Sequence, residues 1–339
     1  GGSATGTAKG RRFPLFMKLR EVADVILFDQ RGTGLSKNDL KSCEVEPPPL
    51  EQPSLADEVM QKTIADIKHC VKQWQQQGID LDGYNTKENA ADLVALKEAL
   101  GADKINLWGI SYGSHLAFAT VKYHSDIIDK MALASLEGLD HTIKLPGRVQ
   151  DLIEQVGQDL NTNPATKGRY PDLVGDLRAI MQQLQAEPVI TPTLDYRSQQ
   201  PITVGIGVMD LQFALSFIFL RDPEYLSKLP RIVKDMKAGN FGEIGAYIAS
   251  IKSYAASHSP MSLAMDVASG ISPERWKLVQ EQAPQSLVGR TTNFPFPDIN
   301  THLPVNDLGD EFREAVKSDV PSLFISCLLY TSPSPRDPL

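Results

Sequence analysis

A serine framed by glycines, Gly109-Ile110-Ser111-Tyr112-Gly113, constrains this chain more than any other stretch. An apolar, strand-like run, Ile105-Asn106-Leu107-Trp108, leads into it, and an apolar, helix-like run, Leu116-Ala117-Phe118-Ala119, leads away. A G-x-S-x-G segment at a strand-to-helix junction is a nucleophile elbow. The chain turns so tightly there that side chains two residues either side of the serine are expected to strike the neighbouring strand and helix. Gly109 and Gly113 are therefore expected for their lack of a Cβ. The serine is held in a strained conformation that exposes its Oγ, and the next backbone N–H, that of Tyr112, is placed to help bind an oxyanion. Ser111 is the candidate nucleophile. The bare pattern also arises by chance, and its flanks, with Ala99-Leu100-Gly101-Ala102 at the preceding helix end, give it weight.

A second segment narrows the reading. Asp24-Val25-Ile26-Leu27-Phe28-Asp29 has the pattern of a buried parallel strand, and Gln30-Arg31-Gly32-Thr33-Gly34-Leu35-Ser36 follows it. Farther on, Asn85 with Glu88 three residues later forms a capping-box start for a helix that stops at Gly101. The run DQRGTGLS, then Tyr84-Asn85-Thr86 and its helix, then GISYGS, resembles the prolyl and tripeptidyl aminopeptidase-like family of α/β-hydrolases, over essentially all of residues 1–326. The resemblance implies an α/β-hydrolase fold: a mostly parallel sheet flanked by helices, with an inserted helical cap. It implies a serine exopeptidase that releases N-terminal residues or short peptides through an acyl-enzyme. Asp29 and Arg31 are expected to shape the turn after their strand, because neither is the triad acid of the family pattern.

Both ends look interrupted. Cys327-Leu328-Leu329-Tyr330-Thr331-Ser332-Pro333-Ser334-Pro335-Arg336-Asp337 resembles a frame translation of a transposase sequencing adapter, so residues 327–339 are expected to be an artefactual tail. The strand-like Val320-Pro321-Ser322-Leu323-Phe324-Ile325 precedes it. In the family, the acid turn and the catalytic His follow that strand, so both are expected to be absent from this chain. Gly1-Gly2-Ser3-Ala4-Thr5 resembles the tail of the family's His-Gly-Gly-Pro-Gly-Gly loop, which supplies the other oxyanion N–H. The strand before that loop is then expected to be missing, leaving an incomplete sheet. The 24–28 run should lie across a gap of about two strand spacings from 104–108, roughly 9 to 10 Å, or collapse onto it.

With 339 residues, 42% hydrophobic and 22% charged, the chain can bury one large core and a cap. A net charge of −8 without basic clusters argues against nucleic-acid binding. The longest apolar stretch, Leu211 to Leu220, is too short to span a membrane. Zinc-type Cys/His spacing and phosphate loops are lacking, and Gly205-Ile206-Gly207 lacks the rest of a dinucleotide fingerprint. No metal and no cofactor are therefore expected. The partner is a small peptide or ester substrate, and the oligomeric state is open. Relatives exported to the periplasm or beyond often carry a cysteine pair in the insertion after DQRG. The resemblance thus implies a Cys43–Cys70 disulfide and a periplasmic or secreted protein. Two free buried thiols in a cytoplasmic protein are the alternative.

The organisation reads as core, cap and return to core. Residues 1–146 carry the strand, the DQRG turn, the cysteine-containing insertion and the elbow. Residues 147–300 form the cap, and residues 301–326 return to the core. Core strands are expected at 24–28, 104–108, 130–136 and 321–326. Cap helices are expected at Gly147–Leu160, Tyr170–Gln185, Val208–Leu220, Leu226–Ala238, Phe241–Ser257 and Pro273–Gln282. In exopeptidases of this type, cap carboxylates receive the substrate's α-ammonium. Asp195, Asp210, Glu224, Glu243 and Asp266 are the acids the cap offers, most of them expected on solvated faces. Glu137 and Asp140, just past the 130–136 run, either touch substrate or terminate the strand. Hydrolase triads run Ser, acid, His along the chain. His69, His115, His124, His141, His258 and His302 all fall outside the expected place, and His115 is expected to pack. A carboxylesterase or lactonase using the same serine is the alternative enzyme, and a non-catalytic binding protein is the third reading. A serine nucleophile argues against the epoxide hydrolases and dehalogenases of this fold, which use aspartate.

Overall fold

The computed structural model describes residues 3–10, 12–36 and 40–325. The suspected adapter tail, Ser326 and Gly1-Gly2 lie outside the described residues. Two short helices, α1 (Ala4–Lys9) and α2 (Phe13–Leu19), open the chain. The insertion holds a two-residue strand, β1 (Cys43–Glu44), and a long helix, α3 (Ala56–Gln76). Helix α4 (Thr86–Ala99) starts where the Asn85 side chain accepts the Glu88 N–H at 2.9 Å, one half of the expected capping box; the Glu88 carboxylate instead lies 3.3 Å from Arg31. Past Leu100, Gly101 reverses the chain with φ +62°. Strand β2 (Ile105–Ile110), helix α5 (Tyr112–His124) and strand β3 (Ile128–Ala134) then form one crossover unit.

The central part is helical with one exception. Helices α6 (Pro146–Thr162) and α7 (Leu173–Ala186) precede a hairpin of β4 (Val189–Leu194) and β5 (Pro201–Ile206). Helix α8 (Val208–Ala214) continues as a π-turn, Leu215–Phe219, followed by α9 (Pro223–Lys237) and α10 (Gly242–Tyr254). Strand β6 (Ser257–His258), α11 (Pro260–Ser269) and α12 (Pro273–Gln282) lead back toward the core. The hairpin and α11 are not among the expected elements. Pro192 and the exposed Ile190 and Leu194 hide the strand pattern of β4 from a sequence reading. The cap's own core gathers Leu177, Ile180, Val204, Leu211, Phe219, Ile232 and Ile248. Beside it, Lys252 donates to the carbonyls of Gln52 (2.6 Å) and Gly205 (3.0 Å) and lies 3.4 Å from Asp210. Asp210 in turn accepts from the Ser54 N–H and hydroxyl, so this buried node ties the insertion to the cap.

After α13 (Gly309–Arg313), strand β7 (Ser322–Ile325) completes a parallel sheet of order β2-β3-β7. Helices flanking a parallel sheet are the α/β-hydrolase arrangement, and the sheet has three strands among the described residues. The expectation of a strand at 24–28 is not met. Residues 24–28 form no ladder, with either β2 or any other segment, and Ile26 is half exposed. An extended run becomes a strand only when a neighbour takes up its N–H and C=O groups, and none lies alongside. Instead, Phe16 of α2 packs edge-on against Trp108 of β2, with ring centroids 5.1 Å apart. No other described segment fills the vacant position beside β2 as a parallel strand.

The implied disulfide is present: Cys43 and Cys70 are bonded, with their Cα atoms 5.6 Å apart. It fixes β1 to α3, and β1 pairs antiparallel with β6, where Cys43 faces His258. The insertion is thereby joined to the start of α11. No helix among the described residues is long and apolar enough to cross a membrane.

Candidate active site

Ser111 ends β2 and caps α5 with φ 54° and ψ −125°, a conformation that a non-glycine residue adopts only under strain. The turn is held from both sides. The Ser111 N–H donates to Ala134 O of β3 at 3.1 Å, and the Ser114 hydroxyl donates to Ser111 O at 2.7 Å. Ser111 itself is exposed. As the first residue of α5, Tyr112 has a backbone N–H without an intrahelical acceptor, which suits an oxyanion. A Cβ on Gly109 would lie 2.5 Å from the Gly113 carbonyl oxygen, so no side chain fits there. Gly113 corrects its expectation: a Cβ added there meets nothing within 4 Å. The close approach is made by the Gly113 backbone against Gly109, and only one of the two glycines is required for space.

Beneath the elbow lies a buried polar cluster. The Tyr112 hydroxyl accepts from Asn89 Nδ2 at 2.9 Å and lies 3.3 Å from Thr86 Oγ1, and burial pushes its pKa up. His115 is fully buried, with Nδ1 3.1 Å from Gly138 O and its ring stacked on Tyr112. Burial holds it below the ordinary histidine range and therefore neutral. It packs, as expected. Among the described residues no histidine hydrogen-bonds the Ser111 hydroxyl.

The two acids past β3 take different roles. Burial alone would raise the Glu137 carboxyl, but the Lys144 ammonium at 2.9 Å holds it below its usual range. The Glu137 N–H donates to the same Ser114 hydroxyl that braces Ser111. Asp140 instead accepts from the N–H (2.8 Å) and hydroxyl (2.5 Å) of Ser272, the N-cap of α12, and so ties the strand exit to the cap. Of the cap acids, Asp210 is buried against Lys252, Glu243 pairs with Arg231, and Asp195 accepts from its own turn at Ser198. Glu224 pairs with Lys228. Asp266 of α11 differs: burial, with the Glu137 charge nearby, pushes its carboxyl up to about 7. Asp29 and Arg31 are structural. Asp29 accepts from the N–H groups of Ala4 (2.6 Å) and Leu35 (2.9 Å), and Arg31 grips both carboxylate oxygens of Asp92 at 2.7 and 2.6 Å. A cavity of about 650 Å³ opens between α6, α7 and the segment at the end of α12, and no elbow residue lines it.

Sequence reasoning missed the environment of Asp266, the Asn89–Thr86 cluster and Ser135. Ser135 ends β3 with φ 49°, a second strained serine beside the first. Its sequence context, Ala134-Ser135-Leu136, gives no sign of that.

A parallel sheet crossed by helices, with a strained serine at a strand's carboxyl end, defines an α/β-hydrolase. The model of the alpha/beta hydrolase fold family matches residues 11–181, half of the chain, and the chain belongs to that family. No curated protein matches it significantly. The fold and the family together make it a hydrolase acting on a small-molecule substrate.

Proposed function

We propose that the chain derives from a serine aminopeptidase in which Ser111 attacks the scissile acyl carbon and the Tyr112 N–H receives the oxyanion. The observation that carries this is the φ 54°, ψ −125° turn of Ser111 at the carboxyl end of β2. The peptidase reading over the esterase or lactonase alternative is supported by Asp266 and Glu137, which bring carboxylates of cap and core within electrostatic reach of each other and of Tyr112. Such a pair suits the α-ammonium of a substrate amino terminus. The serine's general base is not one of the six histidines of this chain. We infer that base and acid belong to flanking sequence, and that the chain alone is inactive. The disulfide supports a periplasmic or secreted protein.

The test uses the complete reading frame and this chain side by side, on aminoacyl-arylamides and on aryl esters. The extended enzyme should cleave the arylamides, and Ser111→Ala should abolish turnover. This chain should fall short by a factor on the order of 10⁴ or more, as triad removal does. Turnover of esters alone would favour the alternative. Ordinary arylamide turnover by this chain would sink the inference of a missing base.

A further inference from the structure

The hydroxyl of Tyr112 has no part in the oxyanion role, which uses only that residue's backbone. Yet it belongs to a row of five buried polar side chains from three helices. Asn89 Nδ2 donates to the Tyr112 hydroxyl at 2.9 Å, so the single phenolic proton is free to go elsewhere. Its remaining neighbour is Thr86 Oγ1 at 3.3 Å, and Thr86 in turn lies 3.4 Å from Ser269 Oγ of α11. Ser269 Oγ donates its single proton to Met265 O of its own helix at 2.9 Å and packs 3.3 Å from His115 Nε2. His115, beside Ser269, donates separately from Nδ1 to the Gly138 carbonyl, which can only accept.

The donors therefore run in one direction: Asn89, Tyr112, Thr86, Ser269, Met265 O. Asn89, Thr86, His115 and Ser269 are essentially without exposure and Tyr112 is buried, so water does not compete for these bonds. Asn89 Oδ1 is the one orphaned polar atom of the set. Polar groups are costly to bury, and each hydroxyl here could be a hydrocarbon if filling space were all that was needed.

We propose that Asn89, Thr86 and Ser269 are positioning residues that set the elbow through the Tyr112 hydroxyl. The relay anchors the first residue of α5, and with it the oxyanion N–H and the strained Ser111, to α4 and α11. Beside the relay, His115 donates to the Gly138 carbonyl, next to Glu137, whose N–H is held by the Ser114 hydroxyl that braces Ser111. The elbow is thus fixed from below and from behind. Since α11 also carries Asp266, the relay couples the position of the oxyanion donor to the helix bearing the cap-side carboxylate. This inference rests on the proposed role of Ser111.

The test compares Thr86→Val, which keeps the shape and removes the hydroxyl, with Thr86→Ser, which restores it. Tyr112→Phe serves as a second break in case the valine variant misfolds. Thr120→Val is the control, because that buried hydroxyl donates only to Leu116 O within its own helix. In the complete-frame enzyme, Thr86→Val and Tyr112→Phe should lower kcat about tenfold to a hundredfold with KM unchanged, as a displaced oxyanion donor does. Thr86→Ser and Thr120→Val should stay near the parent. Deuterium uptake of the 109–117 segment should rise in the first two variants and not in the others. Equal kcat for the valine and serine variants, with equal uptake, overturns the proposal. If Ser111→Ala leaves turnover intact, the reading of Ser111 fails instead, and uptake of the elbow segment alone decides the relay.

Discussion

Breaking the Cys43–Cys70 disulfide is expected to lower the stability of the fold by about 3.6 kcal/mol. The bonded residues are 27 apart in sequence. In the chain-entropy relation, a loop of that length removes about 12 cal/mol/K from the unfolded chain, which gives the figure near 25 °C. Both cysteines are buried, in a cluster with Ile67, Val71, Trp74, Leu263 and Val267. That cluster persists without the bond, because two thiols occupy nearly the same volume and are good core residues. The loss therefore acts mainly through the unfolded state. Urea unfolding followed by tryptophan fluorescence, with and without reductant, measures it, and Cys43→Ala with Cys70→Ala provides a permanent break. With a slope of about 3 kcal/mol/M, the midpoint should fall by about 1 M. The alanine pair should fall further, because it also removes buried sulfur atoms. Coincident midpoints, in protein whose free thiols confirm full reduction, would refute the reasoning.

Three further outcomes follow from the same coordinates. Gly109→Ala should disrupt the elbow, since its Cβ would lie 2.5 Å from Gly113 O, whereas Gly113→Ala should be tolerated, because a Cβ there meets nothing within 4 Å. Thermal unfolding of the two variants separates them, and equal losses would overturn the distinction. Asp210→Ala should cost about 3 to 5 kcal/mol, because it leaves Lys252 charged and buried against carbonyls only; chemical denaturation measures it, and a loss below about 1 kcal/mol would contradict that. Asp266 has a folded pKa of about 7 against an unfolded value near 3.8. The stability it contributes is complete below the unfolded value and is lost as pH rises through about 7. Asp266→Asn should therefore unfold at a higher temperature than the parent at pH 8 while weakening the binding of ammonium-bearing substrates. An unchanged melting profile between pH 4 and 8 would reject the buried carboxyl.

Legibility followed the range of the interactions. The elbow, the cap of α4 at Asn85 and the stop at Gly101 are set by contacts within a few residues, so their sequence signals are sufficient. The disulfide came from resemblance, since spacing alone cannot pair two cysteines. The 24–28 run failed because a strand is a property of two segments: its apolar pattern is correct, and its partner is not beside it. The hairpin β4–β5 failed for the opposite reason. Its exposed Ile190 and Leu194 and its Pro192 break the pattern, while a ladder and the packing of Val204 and Ile206 sustain it. Asp266 could not be singled out among the cap acids, because burial and a neighbouring charge, not residue type, distinguish it.

The serine turn stands although its sheet has three strands among the described residues. A non-glycine residue at φ 54° costs on the order of 1 to 3 kcal/mol, and it persists only if its surroundings over-determine it. Here the constraints are independent. Ala134 O takes the Ser111 N–H from the neighbouring strand, Ser114 Oγ donates to its carbonyl from the following helix turn, and Gly109 admits the Gly113 backbone at a distance no side chain would allow. Beneath these, the Tyr112 hydroxyl is held by a separate helix. None of these contacts involves a base or an acid of a triad. The nucleophile's geometry is therefore a property of the strand, the crossover helix and their buried supports, and it is complete before any residue that would activate the serine is brought to it.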